Sequence, residues 1–163
     1  MSGAREGEEA LGFDPGALAG DGHVVFIGRI HSPWTSREEC PKNVAAARAS
    51  GKAASVTIDA QYRRGLTGLE RFSHVILLTW LDRSQRDLII QNPRHAEEPR
   101  GTFALRSPVR PNPIGLHVVK LVSVDAETGL LGIDAIDTLD GTPVIDVKPY
   151  FASNDAMPDA SGG

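Results

Sequence analysis

From His23 to Tyr150 the chain reads as short runs of β-branched and aromatic residues, each cut off by Gly, Pro or an Asp-Gly turn. That punctuation leaves too few helices for a doubly wound nucleotide fold, in which helices alternate with strands. Strands are expected over His23–Ile30, Ala54–Asp59, Phe72–Leu81, Gly101–Arg106, Pro113–Asp125, Leu130–Ile136 and Pro143–Tyr150. Phe72–Leu81 reads as buried on both faces. In Pro113–Asp125 the alternation puts Ile114, Leu116, Val118, Val122 and Val124 on one face, the expected core face. Glu127-Thr-Gly129 then closes a hairpin. Asn43 and Gly51 frame a short helix from Val44 to Ser50, and a second is expected near Ser84–Ile90. The fold class expected is mainly β: a single-domain β-barrel with one or two short helices.

The 163 residues suit one domain, and the longest apolar run, Val75–Leu81, is far shorter than the roughly 20 residues a membrane helix needs. No charged flank followed by an apolar stretch marks a signal peptide. Cys40 is the single cysteine, which excludes an intramolecular disulfide and any zinc site built on several thiolates, and favours a cytoplasmic setting. Residues 1–22 are acidic and without period, and 153–163 are similar; both are expected as flexible tails around a domain over 23–152. Arg37 to His117 carries a net charge of +5, whereas Val118 to the end carries −6. A basic middle suits phosphate; it is equally what a solvated surface looks like.

Four segments are too particular for ordinary turns. In Ile27-Gly-Arg-Ile-His-Ser-Pro-Trp34 a strand exits at Ser32-Pro33, because proline cannot donate to the ladder. Arg106-Ser-Pro-Val-Arg-Pro-Asn-Pro-Ile-Gly115 places three prolines in six residues, a stiff loop that fixes its side chains in advance. Its arginines, Arg106 and Arg110, suit a carboxylate or phosphate, or merely solvate a corner. Asp137-Thr-Leu-Asp-Gly-Thr-Pro-Val-Ile-Asp-Val-Lys-Pro-Tyr150 ends one strand and turns into the next. Asp146 and Lys148 are two apart on a strand and so share a face, where they can pair. Cys40-Pro-Lys-Asn43 precedes the short helix, with Lys42 adding charge and Asn43 capping. His31, His74, His95 and His117 show no metal-ligand spacing, and no metal is expected; a His in an apolar stretch, such as His74, is more often a hydrogen-bonded core residue. Neither a phosphate-binding Gly-Lys-Ser/Thr loop nor a Gly-x-Ser-x-Gly elbow occurs.

Taken in order, Ile27-Gly-x-Ile-x-Ser-Pro33, Phe72-Ser-His74, Arg106-Ser-x-x-Arg-Pro-Asn-Pro-Ile-Gly115 and Asp140-Gly-Thr-Pro-Val-Ile-Asp-x-Lys-Pro-Tyr150 resemble the TsaA-like (TrmO-type) family. The resemblance implies a β-barrel that dimerises and binds S-adenosylmethionine in a site unlike the Rossmann type. It implies N6-methylation of threonylcarbamoyladenosine next to the tRNA anticodon. Carried over position by position, cofactor contacts fall on Pro41, Lys42 and Asn43, on Asp82 and Arg83, on Arg106, on Leu116, and on Ile136, Asp137 and Thr138. This chain reads Pro-Lys-Asn where the family carries Pro-Arg-Gln, and Asp82-Arg83 where bacterial tRNA enzymes tend to carry His-Gln.

A sulfonium cofactor already carries an activated methyl group, so the protein's task is to align an acceptor nitrogen and take its proton. Asp137 and Asp146 are the candidates for that base. Arg86, Arg110, Asn112, Lys148 and Tyr150 are the substrate-binding candidates, and Arg37, Lys42, Arg63, Arg64, Arg83 and Arg86 could supply an RNA surface. Homodimerisation is implied by the resemblance, supported by the edge strands that a small open barrel must cover. Two alternatives stand beside the tRNA methyltransferase: a methyltransferase of the same fold with another substrate, and a non-catalytic module binding S-adenosylmethionine or RNA.

Overall fold

The computed structural model describes residues 4–18, 20–94 and 96–162. The chain divides into two compact units. Residues 26–79 and 116–163 form one, built on a closed six-stranded barrel. Residues 1–25 and 80–115 form the other, around a small three-stranded sheet.

The barrel runs β2–β3–β8–β7–β4–β9, with β2 at Gly28–His31, β3 at Ala54–Ile58, β4 at His74–Trp80, β7 at Ile114–Asp125, β8 at Leu130–Ile133 and β9 at Pro143–Pro149. Six strands enclose a space just filled by side chains, so one residue in two points into a packed core. Ile30, Val56, Ile58, Val75, Leu77, Val119, Leu131, Ile133 and Val144 fill it. Two glycines permit the tight curvature. At Gly28 a Cβ would lie 2.1 Å from the Thr57 carbonyl oxygen, so only glycine lets β2 cross β3 here. Gly129 turns the β7–β8 hairpin at φ 79°. Pro143 opens β9, where its missing N–H costs the ladder least.

The mainly-β barrel expected from the sequence is what forms. The helix α1 spans Val44–Ala49, with the Asn43 side chain accepting from the Ala46 amide at 2.8 Å and Gly51 following at φ 69°. Asp146 and Lys148 pair at 2.7 Å.

Several expectations are corrected. The strand expected from His23 begins only at Gly28. β4 is not buried on both faces: Val75, Leu77 and Thr79 point inward and fully buried, while the alternate residues are half-buried outside. No helix forms near Ser84–Ile90; Leu88–Gln91 is strand β5, its β-branched pair extended against β1, Glu9–Ala10. The strand expected over Gly101–Arg106 is only β6, Arg100–Gly101, followed by a 3-10 turn over Thr102–Ala104.

The largest correction concerns β7. Four of its five expected core residues face outward: Leu116 is 48% and Val122 64% exposed, with Ile114 and Val118 also exposed, while Val124, beyond a register shift between Leu121 and Ser123, does pack against the core. Gly115, His117, Val119 and Leu121 face inward instead. Alternation reveals two faces, and a one-residue change of parity exchanges them. Because the barrel closes on itself through β2 and β9, it also has no open edges to cover.

In the other unit, β1 (Glu9–Ala10) pairs with β5, so part of the segment expected as a tail over 1–22 is bonded. The Arg5 guanidinium donates to the Asn92 carbonyl, Asn92 Nδ2 to the Glu6 carbonyl and the Leu11 amide to the Asp87 carbonyl. The segment 153–163 likewise begins within a short helix, α2 (Ala152–Asp155), whose preceding Phe151 ring meets Phe72 edge-on at 5.4 Å.

Candidate active site

In the barrel unit, the strand exit after β2 and the strand end after β8 lock together. The Trp34 indole donates to the Ile136 carbonyl at 2.8 Å, and the Ser32 hydroxyl donates to the Thr138 carbonyl at 2.7 Å. The Ser32 amide donates to Asp140 Oδ1 at 3.0 Å, while the Asp140 amide donates to the Trp34 carbonyl at 2.8 Å. Proline at 33 frees this chain from the ladder, and these four bonds then satisfy the backbone of both segments. Trp34 is 6% exposed and carries Lys52 over its ring at 4.9 Å. Three of the expected cofactor residues, Ile136, Asp137 and Thr138, are thereby held on one rigid frame.

Asp137 is the charged member of that frame. Its Oδ1 accepts from His117 Nδ1 at 2.7 Å, and the far side of the imidazole meets the Thr79 hydroxyl at 2.9 Å. A carboxylate only accepts, so Nδ1 carries a proton and donates it to Asp137, while Thr79 Oγ1 holds the Nε2 side of the ring. Cys40 lies within the field of Asp137: burial first, then that carboxylate, pushes its thiol up to about 11. The loop leading to Pro41, Lys42 and Asn43 thus lies beside Asp137, although the Asn43 side chain itself is spent on capping α1. The Thr138 hydroxyl is buried with no hydrogen-bond partner among the described residues. A buried orphan of this kind asks for a partner from outside the chain.

Asp146, the other candidate base, is engaged by Lys148 and by the Val147 amide. Tyr150 stands edge-on to His74 at 6.4 Å. His74, singled out as a core histidine, is only half-buried and bonds the Ser73 hydroxyl. Among the described residues the deeply buried histidine is His117, which the sequence pattern marked only as one of the histidines without metal-ligand spacing. Its signal was a lone polar residue at the small, inward parity of β7.

In the other unit, the Pro-rich loop is braced from several sides. Arg86 Nε donates to the Pro111 carbonyl at 2.6 Å and reaches Asn112 Oδ1 at 3.4 Å, its guanidinium lying over Trp80. Arg110 donates to the Leu105 and Ser107 carbonyls, and buried Gln91 donates to the Val109 carbonyl at 2.6 Å. Arg86, Arg110 and Asn112, expected at a substrate, are therefore tied into holding this loop. Arg106, Asp82 and Arg83 are exposed on the same unit. Leu116 stands on the outward face of β7. His95, among the histidines considered for metal binding, lies outside the described residues.

The family model for the tRNA-methyltransferase O N-terminal domain matches residues 29–156. An S-adenosyl-L-methionine-binding protein of Archaeoglobus fulgidus is 38% identical over 136 residues, covering 83% of this chain and 94% of that protein. The tRNA (adenine(37)-N6)-methyltransferase of Escherichia coli is 32% identical over 141 residues, covering 83% of this chain and 60% of that enzyme. The crystal structure of TrmO from Pseudomonas aeruginosa superposes with a TM-score of 0.70 at 34% identity, over 87% of this chain and 61% of that one. The chain thus spans about three fifths of the length of the methyltransferases it matches.

Proposed function

Because the chain belongs to the tRNA-methyltransferase O N-terminal-domain family, we propose that it binds S-adenosylmethionine and methylates tRNA, at N6 of threonylcarbamoyladenosine beside the anticodon. The observation that carries the reading is the frame around Asp137, where two of the resemblance's motifs are bonded to each other. Its donor set fits the cofactor: a half-buried carboxylate suits ribose hydroxyls or an ammonium, and the Thr138 hydroxyl awaits a partner. The names of relatives that bind S-adenosylmethionine or methylate tRNA adenine point the same way.

S-adenosylmethionine supplies an activated methyl group. This chain's part is to hold it through Ile136, Asp137 and Thr138, with the backbone and charge of Pro41–Asn43 alongside. Arg106, Asp82 and Arg83 supply the further contacts that the resemblance implies, and exposed guanidinium groups suit RNA phosphate. A tRNA substrate places the protein in the cytoplasm; among the described residues no helix is long and apolar enough to cross a membrane.

A second copy of the chain is the proposed cover for the outward face of β7. Ile114, Leu116 and Val118 are exposed at alternate positions of a single strand, with exposed Val122 following beyond Lys120, and exposed apolar residues grouped in this way mark an interaction site. A dimer in light scattering at tens of micromolar, lost on Val122→Asp, is expected; a monomeric wild-type protein removes this part.

Mass spectrometry of tRNA nucleosides from a deletion strain tests the reading as a whole. Loss of the methylated nucleoside, restored by the intact gene, is the expected result. An unchanged profile from a protein that still binds the cofactor leaves the two alternatives, a methyltransferase for another acceptor, which the departures at Pro41–Asn43 and Asp82–Arg83 would suit, and a non-catalytic binding module.

A further inference from the structure

We propose that His117 is a positioning residue: through its hydrogen bond it fixes the Asp137 carboxylate in the orientation that receives the cofactor. This rests on the reading of Asp137 as a cofactor contact. The two interactions of the imidazole are on the page, 2.7 Å to Asp137 Oδ1 and 2.9 Å to Thr79 Oγ1. Thr79 is fully buried and His117 is 5% exposed, so water cannot replace either partner cheaply. The carboxylate accepts and Nδ1–H donates to it; at Nε2 the threonine hydroxyl donates to a neutral ring and accepts from a protonated one.

The placement also argues for more than packing. His117 takes an inward position on β7 between Gly115 and Val119, in a barrel whose other inward residues are almost all aliphatic. Burying an imidazole there costs desolvation that a leucine would avoid. What the histidine supplies is a directed donor at the one carboxylate on the Ile136–Thr138 frame. The neighbouring titratable group, Cys40, keeps its proton in the neutral range and adds no competing charge. Thr79 in turn holds the Nε2 side of the ring from β4, so β4 and β7 together set one carboxylate rotamer.

The test uses the full chain and four variants: His117→Leu, His117→Asn, Asp137→Asn and the double variant His117→Leu/Asp137→Asn. Asparagine keeps a donor close to where Nδ1 sits; leucine keeps volume alone. Nitrogen NMR of the histidine ring, without cofactor, should show Nδ1 carrying a proton. Titration with S-adenosylmethionine should show His117→Leu weakened about ten-fold or more and His117→Asn within about three-fold of wild type. In the Asp137→Asn background, adding His117→Leu should cost almost nothing further, because the histidine acts through that carboxylate. Thermal melting checks that each variant folds. A ring without a proton on Nδ1, full affinity in a folded His117→Leu variant, or additive losses in the double variant each overturn the proposal. A wild-type chain with the expected Nδ1 proton but no cofactor binding refutes the cofactor reading and, with it, the role assigned here to His117.

Discussion

The Trp34 indole N–H donates to the Ile136 carbonyl at 2.8 Å, joining two segments 102 residues apart in the chain. The bond is buried, so Trp34→Phe leaves that carbonyl without a donor while keeping most of the ring's packing. A loss of about 1–3 kcal/mol in denaturant unfolding is expected. Because Ile136 adjoins Asp137, cofactor affinity should fall as well, even under conditions where the variant is fully folded.

Gly28→Ala tests the close crossing of β2 and β3. A methyl group there meets backbone, the Thr57 carbonyl oxygen at 2.1 Å, and backbone cannot swing aside as a side chain can. Destabilisation of about 1–3 kcal/mol or more follows. Gly51→Ala is the control: that glycine, unlike Gly28, has positive φ but has nothing within 4 Å of an added Cβ, so only the backbone strain of about 1–2 kcal/mol applies.

Much of this barrel is legible in the sequence, because β-branched alternation and the Gly129 and Asp140-Gly141 turns act locally. What escapes is set by partners far away in the chain. The parity of β7 is one case: Leu116 and Val122 look like core, but closure of the barrel turns His117 and Val119 inward. Leu88–Gln91 is another, since its choice of strand over helix depends on a β1 partner near residue 9. The candidate site shows the same division. Asp137 was nameable from its motif, whereas the His117 and Thr79 that orient it come from two other strands.

Removing residues 4–12 tests that pairing. The deletion strips β5 of its β1 partner and frees the Asp87 and Asn92 carbonyls. Hydrogen exchange should quicken across Leu88–Gln91 and stay unchanged in the barrel strand Val75–Thr79. Equal quickening in both segments would show that the amino-terminal segment supports the whole chain instead.

Asp134 provides the pH prediction. Burial pushes its carboxyl up, but the Arg48 guanidinium and the Lys120 amide outweigh burial and hold it below the ordinary carboxylate range. A depressed folded value means that the stabilisation is complete above the unfolded pKa of about 3.9 and is lost as pH falls through the folded one. Asp134→Asn should therefore lower the melting temperature at pH 7 and flatten its fall below about pH 4. A variant as stable as wild type at pH 7 would contradict this assignment.

Calorimetric titration of the intact chain with S-adenosylmethionine tests the central claim most directly. A saturable signal is predicted, weakened by Asp137→Asn and, as the resemblance implies, by Arg106→Ala, with both variants retaining their melting transitions. No heat at millimolar cofactor from a folded wild-type chain, or binding indifferent to Asp137→Asn, would contradict it.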